Sequence, residues 1–319
     1  MSATAPEKMW ALRMHEPGGS DHLIYEEVDV ASPAIGDVLV RVHAASFTPT
    51  ELTWPATSFD RSGKDRRPAI PGHEVSGTVV GLGSGTTGFV PGDEVMGITD
   101  WYRDGAAAEY VAVEARNLTH RPRAASHMEC ASVPLAGLTA WQALFIHGGL
   151  TGGQRVLILG AGGGVGTLAV QLAHRAGGHV VGAGRQAARD LVLELGADEF
   201  VVVDRSKLEE LHPVDLIIDL VGGELFERSS STVLAGGRLV SIVEPSAPEV
   251  AQRAGVQAVY FVVEPDRAQL RELARLIDTG ELRPLVGKVF DLADGAEGFE
   301  VKRGGSVPGK AVLRVITDH

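Results

Sequence analysis

The sequence predicts an α/β protein in which a doubly wound parallel-sheet domain is inserted into a compact β domain. Three observations carry that expectation. Residues 1 to about 125 read as short strands such as VLVRVHAAS (38–46) and SGTVVGL (76–82), separated by turn signals such as PGD at 91–93. From about 130, β-branched runs alternate with helical patterns, and after about 283 the β texture returns, ending in GKAVLRVI (309–316).

The first segment favours strands because apolar and polar residues alternate between turns, which suits a sheet with one covered face. In the middle segment the runs are RVLILG (155–160), HVVGA (179–183), EFVVVD (199–204), VDLIIDL (214–220), GRLVSIV (237–243) and VQAVYFVV (256–263). Their centres are apolar at successive positions, as strands covered on both faces must be. Between them lie helical patterns over 165–177, 187–197 and 268–280. The expected organisation is a β domain over 1–125, a parallel-sheet domain over 126–282, and a return to the first domain over 283–319.

Composition excludes several classes of function. A chain of 319 residues with 44% hydrophobic and 22% charged residues can bury a large interior, and no apolar run is long enough to span a bilayer. A net charge of −12 argues against broad phosphate-backbone binding. The basic stretch Arg61–Arg67 reads as a solvated loop. The single cysteine, Cys130, rules out an internal disulfide framework and a Cys-rich zinc cluster, and reads as a small buried apolar residue. MSATAPEKMW shows no secretory pattern, so the default expectation is a cytosolic location.

LILGAGGGVGTLAVQLA (157–173) carries the chemistry. A helix that follows directly on a strand points unsatisfied N–H groups and its positive dipole end at an anion. Ala161, Gly163 and Gly166 have the spacing of a dinucleotide fingerprint. Ala161 would permit the tight turn, Gly163 the approach of a pyrophosphate, and Gly166 close packing of helix on strand. Gly164 and Val165 complete the turn, with Gly162 and Gly164 not required by the spacing. After the second strand, HVVGAGRQAARD places Gly184 and Arg185 where an NAD site usually has a carboxylate. A guanidinium pairs with a 2′-phosphate, so NADPH is the expected cofactor. The plain alternative is that Arg185 is an exposed helix-start residue.

These motifs resemble the medium-chain dehydrogenase/reductase superfamily, specifically its zinc-independent quinone oxidoreductase-like branch. The resemblance runs through MWALRMHEPGG (9–19), VLVRVHAAS, PGHEVSGTVVGLG (71–83), GDEVMG (92–97), PLAGLTAWQAL (134–144), the glycine turn, LGAD (195–198), VGG (221–223) and GKAVLRV (309–315). It implies a GroES-like β domain with an inserted Rossmann domain and a cleft between them. It also implies hydride transfer from NADPH to quinones, enones or enoyl thioesters. Many members are homodimers that pair the last strand of the nucleotide-binding sheet, here VQAVYFVV.

The resemblance also implies site residues. The nicotinamide end would meet Thr139, Val221, Gly222, Ile242 and Phe261, Val262 and Val263. Lys310 would lie near the cofactor side or be solvated. Thr48 stands where relatives often carry an Asn, and relatives' loop Tyr is missing from TELTWPATSFDRSG (50–63). Trp54, Phe59, Trp101 and Tyr102 are either an aromatic wall for a flat acceptor or ordinary packing.

GHEVSGTVVGLG (72–83) is similar to a zinc alcohol dehydrogenase signature in which the His binds a catalytic metal. The other two ligand positions hold Thr48 and Ala136, so no metal is expected. His73 then is either a proton donor or hydrogen-bonding group at the reacting carbonyl, or a structural residue. The competing functions are a zinc alcohol dehydrogenase and a catalytically silent NADPH-binding sensor.

Overall fold

The computed structural model describes residues 5–203, 211–245, 249, 252, 256–303 and 307–316. Residues 1–4 and Asp204, which belong to stretches read above, lie outside the described residues. The strands among the described residues are β1 (Lys8–Met14), β2 (Leu23–Asp29), β3 (Asp37–Ser46), β4 (Glu74–Leu82), β5 (Glu94–Ile98), β6 (Tyr110–Glu114), β7 (Leu118–His120), β8 (Arg155–Leu159), β9 (His179–Gly184), β10 (Glu199–Val202), β11 (Val214–Asp219), β12 (Val233–Ser241), β13 (Gln257–Tyr260), β14 (Val286–Asp291) and β15 (Lys310–Arg314). The chain divides into two compact units, one of Met1–Leu135, Pro265–Gly280 and Pro284–His319, the other of Ala136–Glu264 and Glu281–Arg283.

The first unit is a GroES-like β domain centred on β3, whose antiparallel partners are β4, β6 and β15. Its sheet runs β14-β15-β3-β4-β5-β7. The core joins Val38, Val40 and Val42 of β3 to Val75, Val79 and Val95 of the neighbouring strands. The last strand returns as expected: Val312 of β15 faces Ser46 of β3.

Three helices in this unit depart from the expected organisation. Between β14 and β15 the chain forms a helix, Gly295–Arg303, which is the crossover that lets those two strands run parallel. Its glycines weaken the helical pattern in the sequence, and packing supplies the stability instead, with Phe299 stacked on Phe47 at 3.9 Å. The helix Arg267–Asp278, expected in the parallel-sheet domain, belongs to the first unit and packs against β7. Residues 126–135 likewise belong to the first unit, where a capping box of Ser126 and Glu129 starts the helix His127–Ala131 against β3 and β4.

The second unit is a Rossmann-type sheet in the order β10-β9-β8-β11-β12-β13, with every pair parallel. The reversal of strand order lies between β8 and β11, and in such sheets ligands bind outside the carboxyl ends of those strands. Both strands are nearly wholly buried, which accounts for the continuous apolar runs. β13 ends at Tyr260, earlier than the run 256–263 suggests. The chain leaves the sheet because the Gln142 side chain takes both main-chain groups of Glu264, at 2.8 and 3.1 Å.

Candidate active site

In the second unit, β8 passes through Gly160 into the helix Gly164–Arg175. Gly160 has φ +82°, which favours glycine. Gly166 is required by packing, since a Cβ there would lie 2.2 Å from the Gly160 carbonyl oxygen. A Cβ on Gly163 would lie 3.2 Å from that oxygen with φ at −81°, a tight contact but a milder one than at Gly166. Gly162, not required by the fingerprint spacing, is required by the fold: its Cβ would come 2.5 Å from the Ala188 Cβ. No side chain caps the helix and no acid occupies its first turn. The first main-chain N–H groups of this helix are therefore left to an anion rather than to a side chain, the kind of site that a pyrophosphate suits.

At the end of β9, Gly184 is half-buried, and Arg185 is exposed at the start of the turn Gln186–Ala188. Arg189, unremarked in the sequence, is a second exposed cation there, bonded to Asp190 at 3.3 Å.

The expected nicotinamide-contacting turns are set by Asp219, a residue that motif reading missed. Its buried carboxylate accepts the N–H groups of Val221 (3.0 Å) and Gly222 (2.8 Å) and the Ser241 hydroxyl (2.6 Å). Ser241 Oγ in turn accepts the N–H groups of Val243 and Glu244, and Ile242 N–H donates to the Asp219 carbonyl. Gly222 has φ +75°. Val221, Gly222 and Ile242 therefore lie on two turns tied to one carboxylate. Thr139 is buried, Phe261 packs on His147 with ring centroids 4.3 Å apart, and Val262 is exposed beside the half-buried Val263.

In the first unit, Thr48 and His73 lie on segments joined by Glu51. The Glu51 carboxylate is buried and accepts Thr48 N–H at 3.0 Å and Gly72 N–H at 2.6 Å. Burial pushes its carboxyl up to about 7, against the opposing pull of those bonds and of Lys310. His73 is buried, and its Nδ1 shares a 2.6 Å hydrogen bond with Thr99 Oγ1. Its Nε2 is buried without a hydrogen-bond partner. Burial, reinforced by the Arg66 charge, holds the imidazole down to about 3, so it is neutral near pH 7.

Trp101 stands edge-on to His73 at 5.1 Å and to Trp54 at 5.7 Å, so these three rings form one group. Phe59 and Tyr102 do not join it by ring contact: Arg67 lies over Phe59 and Arg61 over Tyr102. The Arg61–Arg67 stretch is thus less a plain solvated loop than a set of paired cations, with Arg61, Arg66 and Arg67 bonded to Asp100, Asp104 and Asp65.

Lys310 is not solvated. It is buried, donates to the Phe47 carbonyl at 3.0 Å and pairs with Glu74. The other Glu74 oxygen accepts Leu135 N–H at 3.0 Å. Buried Glu74 demands a counter-charge from the fold, and the strand-return topology supplies Lys310 from β15. The donors available to a zinc ion do not fit: Ala136 has none and Thr48 offers only a neutral hydroxyl, so of the three ligand positions His73 alone carries a good zinc donor.

Comparison with known proteins finds two family matches along the chain. The alcohol dehydrogenase GroES-like domain matches residues 34–123 and the zinc-binding dehydrogenase family matches residues 195–313. The mitochondrial NAD(P)H oxidoreductase RTN4IP1 of Danio rerio is 32% identical over 89% of this chain and 84% of its own length. The 2-methylene-furan-3-one reductase of Solanum lycopersicum is 31% identical over 99% of this chain and 81% of its own. Among solved structures, the quinone oxidoreductase from Coxiella burnetii superposes with a TM-score of 0.90 at 29% identity, covering 97% of this chain and all of that one.

Proposed function

We propose, from the premise that the chain belongs to the zinc-independent, quinone oxidoreductase-like branch of the medium-chain dehydrogenase/reductase superfamily, that it reduces quinones or α,β-unsaturated carbonyl compounds with NADPH. The observation that carries the reading is the uncapped helix start at Gly163–Gly166, followed at the end of β9 by Arg185 with no carboxylate among residues 184–189. The main-chain N–H groups of that turn hold the pyrophosphate, and Arg185, with Arg189 nearby in sequence, attracts the 2′-phosphate. The turns tied to Asp219 bear Val221, Gly222 and Ile242 against the nicotinamide. When bound, NADPH supplies the hydride.

The chain's own residues handle orientation and charge. Rings such as Trp54 and Trp101 favour a flat conjugated acceptor. A neutral imidazole does not act as an imidazolium acid near pH 7. Of the His73 nitrogens, Nε2 is the one left to bond a polar ligand atom, and the Thr48 hydroxyl is the second candidate donor. Hydrogen bonds of this kind stabilise negative charge developing on the acceptor oxygen. The RTN4IP1 and tomato reductase names support a nicotinamide-dependent reductase and a conjugated ketone as acceptor.

The same reading includes a cytosolic homodimer. β13 has β12 as its only strand partner among the described residues, and an open edge is a pairing surface. Among the described residues no helix is long and apolar enough to cross a membrane.

The test is cofactor oxidation with a panel of quinones, enones and enoyl thioesters, using NADPH and NADH as donors. NADPH should win with the wild type, and Arg185→Ala should narrow the preference. Better use of NADH would sink the cofactor assignment, and tight NADPH binding with no acceptor turned over would favour a sensor.

A further inference from the structure

Glu51 gathers more of the acceptor-side loop than any motif residue does. Its side chain holds Thr48 N–H and Gly72 N–H, while its main-chain carbonyl accepts Trp54 N–H at 3.1 Å and the Thr57 hydroxyl at 2.6 Å. Its own N–H donates to the Thr48 carbonyl at 3.0 Å. One residue therefore ties the start of the loop, the ring-bearing turn at Trp54 and the segment leading into His73.

We propose that Glu51 is a positioning residue for the acceptor, a titratable clamp whose ionised carboxylate ties Thr48 to the Gly72–His73 segment and loosens when it takes up a proton, while its main-chain carbonyl carries Trp54 along with the clamped loop. The acceptor part of this inference rests on the reductase function proposed above; the clamp itself does not.

The chemistry follows from acceptor capacity. An ionised carboxylate offers lone pairs on both oxygens, so it accepts the two N–H bonds at once. Protonation turns one oxygen into a hydroxyl, a weaker acceptor, and one of the two tethers weakens. The charged groups that set the equilibrium are Glu74 on β4, which opposes ionisation, and Lys310 on β15, which favours it. His73, next to Gly72, is neutral and adds no charge. Burial brings the Glu51 carboxyl to about 7, so the clamp is poised to respond between mildly acidic and mildly alkaline pH.

The test reads Trp54 without needing turnover. Tryptophan fluorescence of the wild type and of Glu51→Gln is followed from about pH 5.5 to 8.5, with Trp54→Phe identifying the component that belongs to the loop. The wild type should show a transition in that component centred near 7, and Glu51→Gln should lack it. In parallel, the acceptor KM of the wild type should rise about tenfold from pH 8 to pH 6, the size of one hydrogen bond to a charged group, with kcat changing less. Glu51→Gln should show the acid-side KM at both pH values, and Glu51→Asp should restore a pH dependence.

A transition that survives in Glu51→Gln with the same midpoint would assign it to another group and overturn the clamp. Where Glu51→Gln does not fold, amide hydrogen exchange of wild-type Thr48 and Gly72 decides: protection should grow through pH 7 beyond the intrinsic rate, and unchanging protection refutes the idea. A fluorescence transition without any acceptor turned over removes the reductase and leaves the clamp standing. Turnover with no transition does the reverse.

Discussion

Asp219 and Ser241 sit at equivalent ends of adjacent parallel strands, and the Ser241 hydroxyl donates to the Asp219 carboxylate at 2.6 Å with both residues fully buried. The pair turns two strand ends into one template, because each partner also accepts two N–H groups from the turn that follows its own strand.

Ser241→Ala leaves the Val243 and Glu244 N–H groups without their acceptor and removes one bond to Asp219. The expected loss is about 1–3 kcal/mol of stability. Cofactor affinity should fall as well, because Val221, Gly222 and Ile242 lose their common anchor. Chemical denaturation and an NADPH titration check the two parts, and an unchanged affinity would detach these turns from the cofactor.

The glycine turn separates fold from function by position. Gly166→Ala drives a Cβ against a carbonyl oxygen of the rigid strand end, and should cost roughly 1–3 kcal/mol besides abolishing cofactor binding. Gly163→Ala meets the Gly160 carbonyl oxygen in a tight but not impossible 3.2 Å contact with ordinary φ, so melting should change less than in Gly166→Ala while NADPH binding weakens. Gly162→Ala should behave like Gly166→Ala in stability, since Ala188 occupies its space. Equal melting temperatures for all three variants would contradict this ordering.

What could be read from the chain follows from the distance over which each feature is built. The parallel sheet and the Gly163–Gly166 turn are encoded within single strand–helix units, so apolar runs and glycine spacing suffice to find them. Glu51 binds a group 21 residues away and Lys310 one 263 away, so TELTW and PGKAV carry no local sign of either role. Asp219 had a faint signal: an acid directly after the apolar run LII (216–218), where burial demands partners. The helix Gly295–Arg303 was masked by its glycines, and its Phe299 contact with Phe47 again joins distant segments. Gly162 needed the position of Ala188, which spacing along the chain does not give.

Two buried groups should shape stability against pH in opposite senses. His73 falls from 6.5 to about 3 on folding, so its contribution is full above 6.5 and is lost as pH falls toward 3. The shift corresponds to on the order of 5 kcal/mol. Glu51 rises from 4.5 to about 7, so its contribution is full below 4.5 and is lost as pH rises through 7, about 3 kcal/mol in all. Denaturation of His73→Leu should show a flattened acid limb, and Glu51→Gln a flattened decline between pH 4.5 and 7. An acid limb unchanged in His73→Leu would mean that the imidazole is not buried neutral.

Cys130 is fully buried, and burial pushes its thiol up to about 12. The thiolate is the reactive form, so the folded protein should resist thiol reagents at pH 8 and yield its one thiol only on unfolding. Cys130→Ala should leave catalysis intact, and rapid labelling of the native protein would refute the assignment.

The buried pair of Lys310 and Glu74 should reveal its asymmetry in a mutant cycle. Lys310→Met removes the counter-charge and leaves Glu74 and Glu51 buried together, a loss of about 3–5 kcal/mol. Glu74→Gln alone strands the ammonium but spares its bond to the Phe47 carbonyl, so it should cost less. The double variant Lys310→Met with Glu74→Gln should recover much of the loss, because no unpaired charge from the pair remains. In Lys310→Met the Glu51 carboxyl should titrate higher than in the wild type, since the attraction that holds it down is gone. Urea denaturation of the four proteins measures the coupling, and additive losses would show that Lys310 and Glu74 do not sense each other in the folded chain.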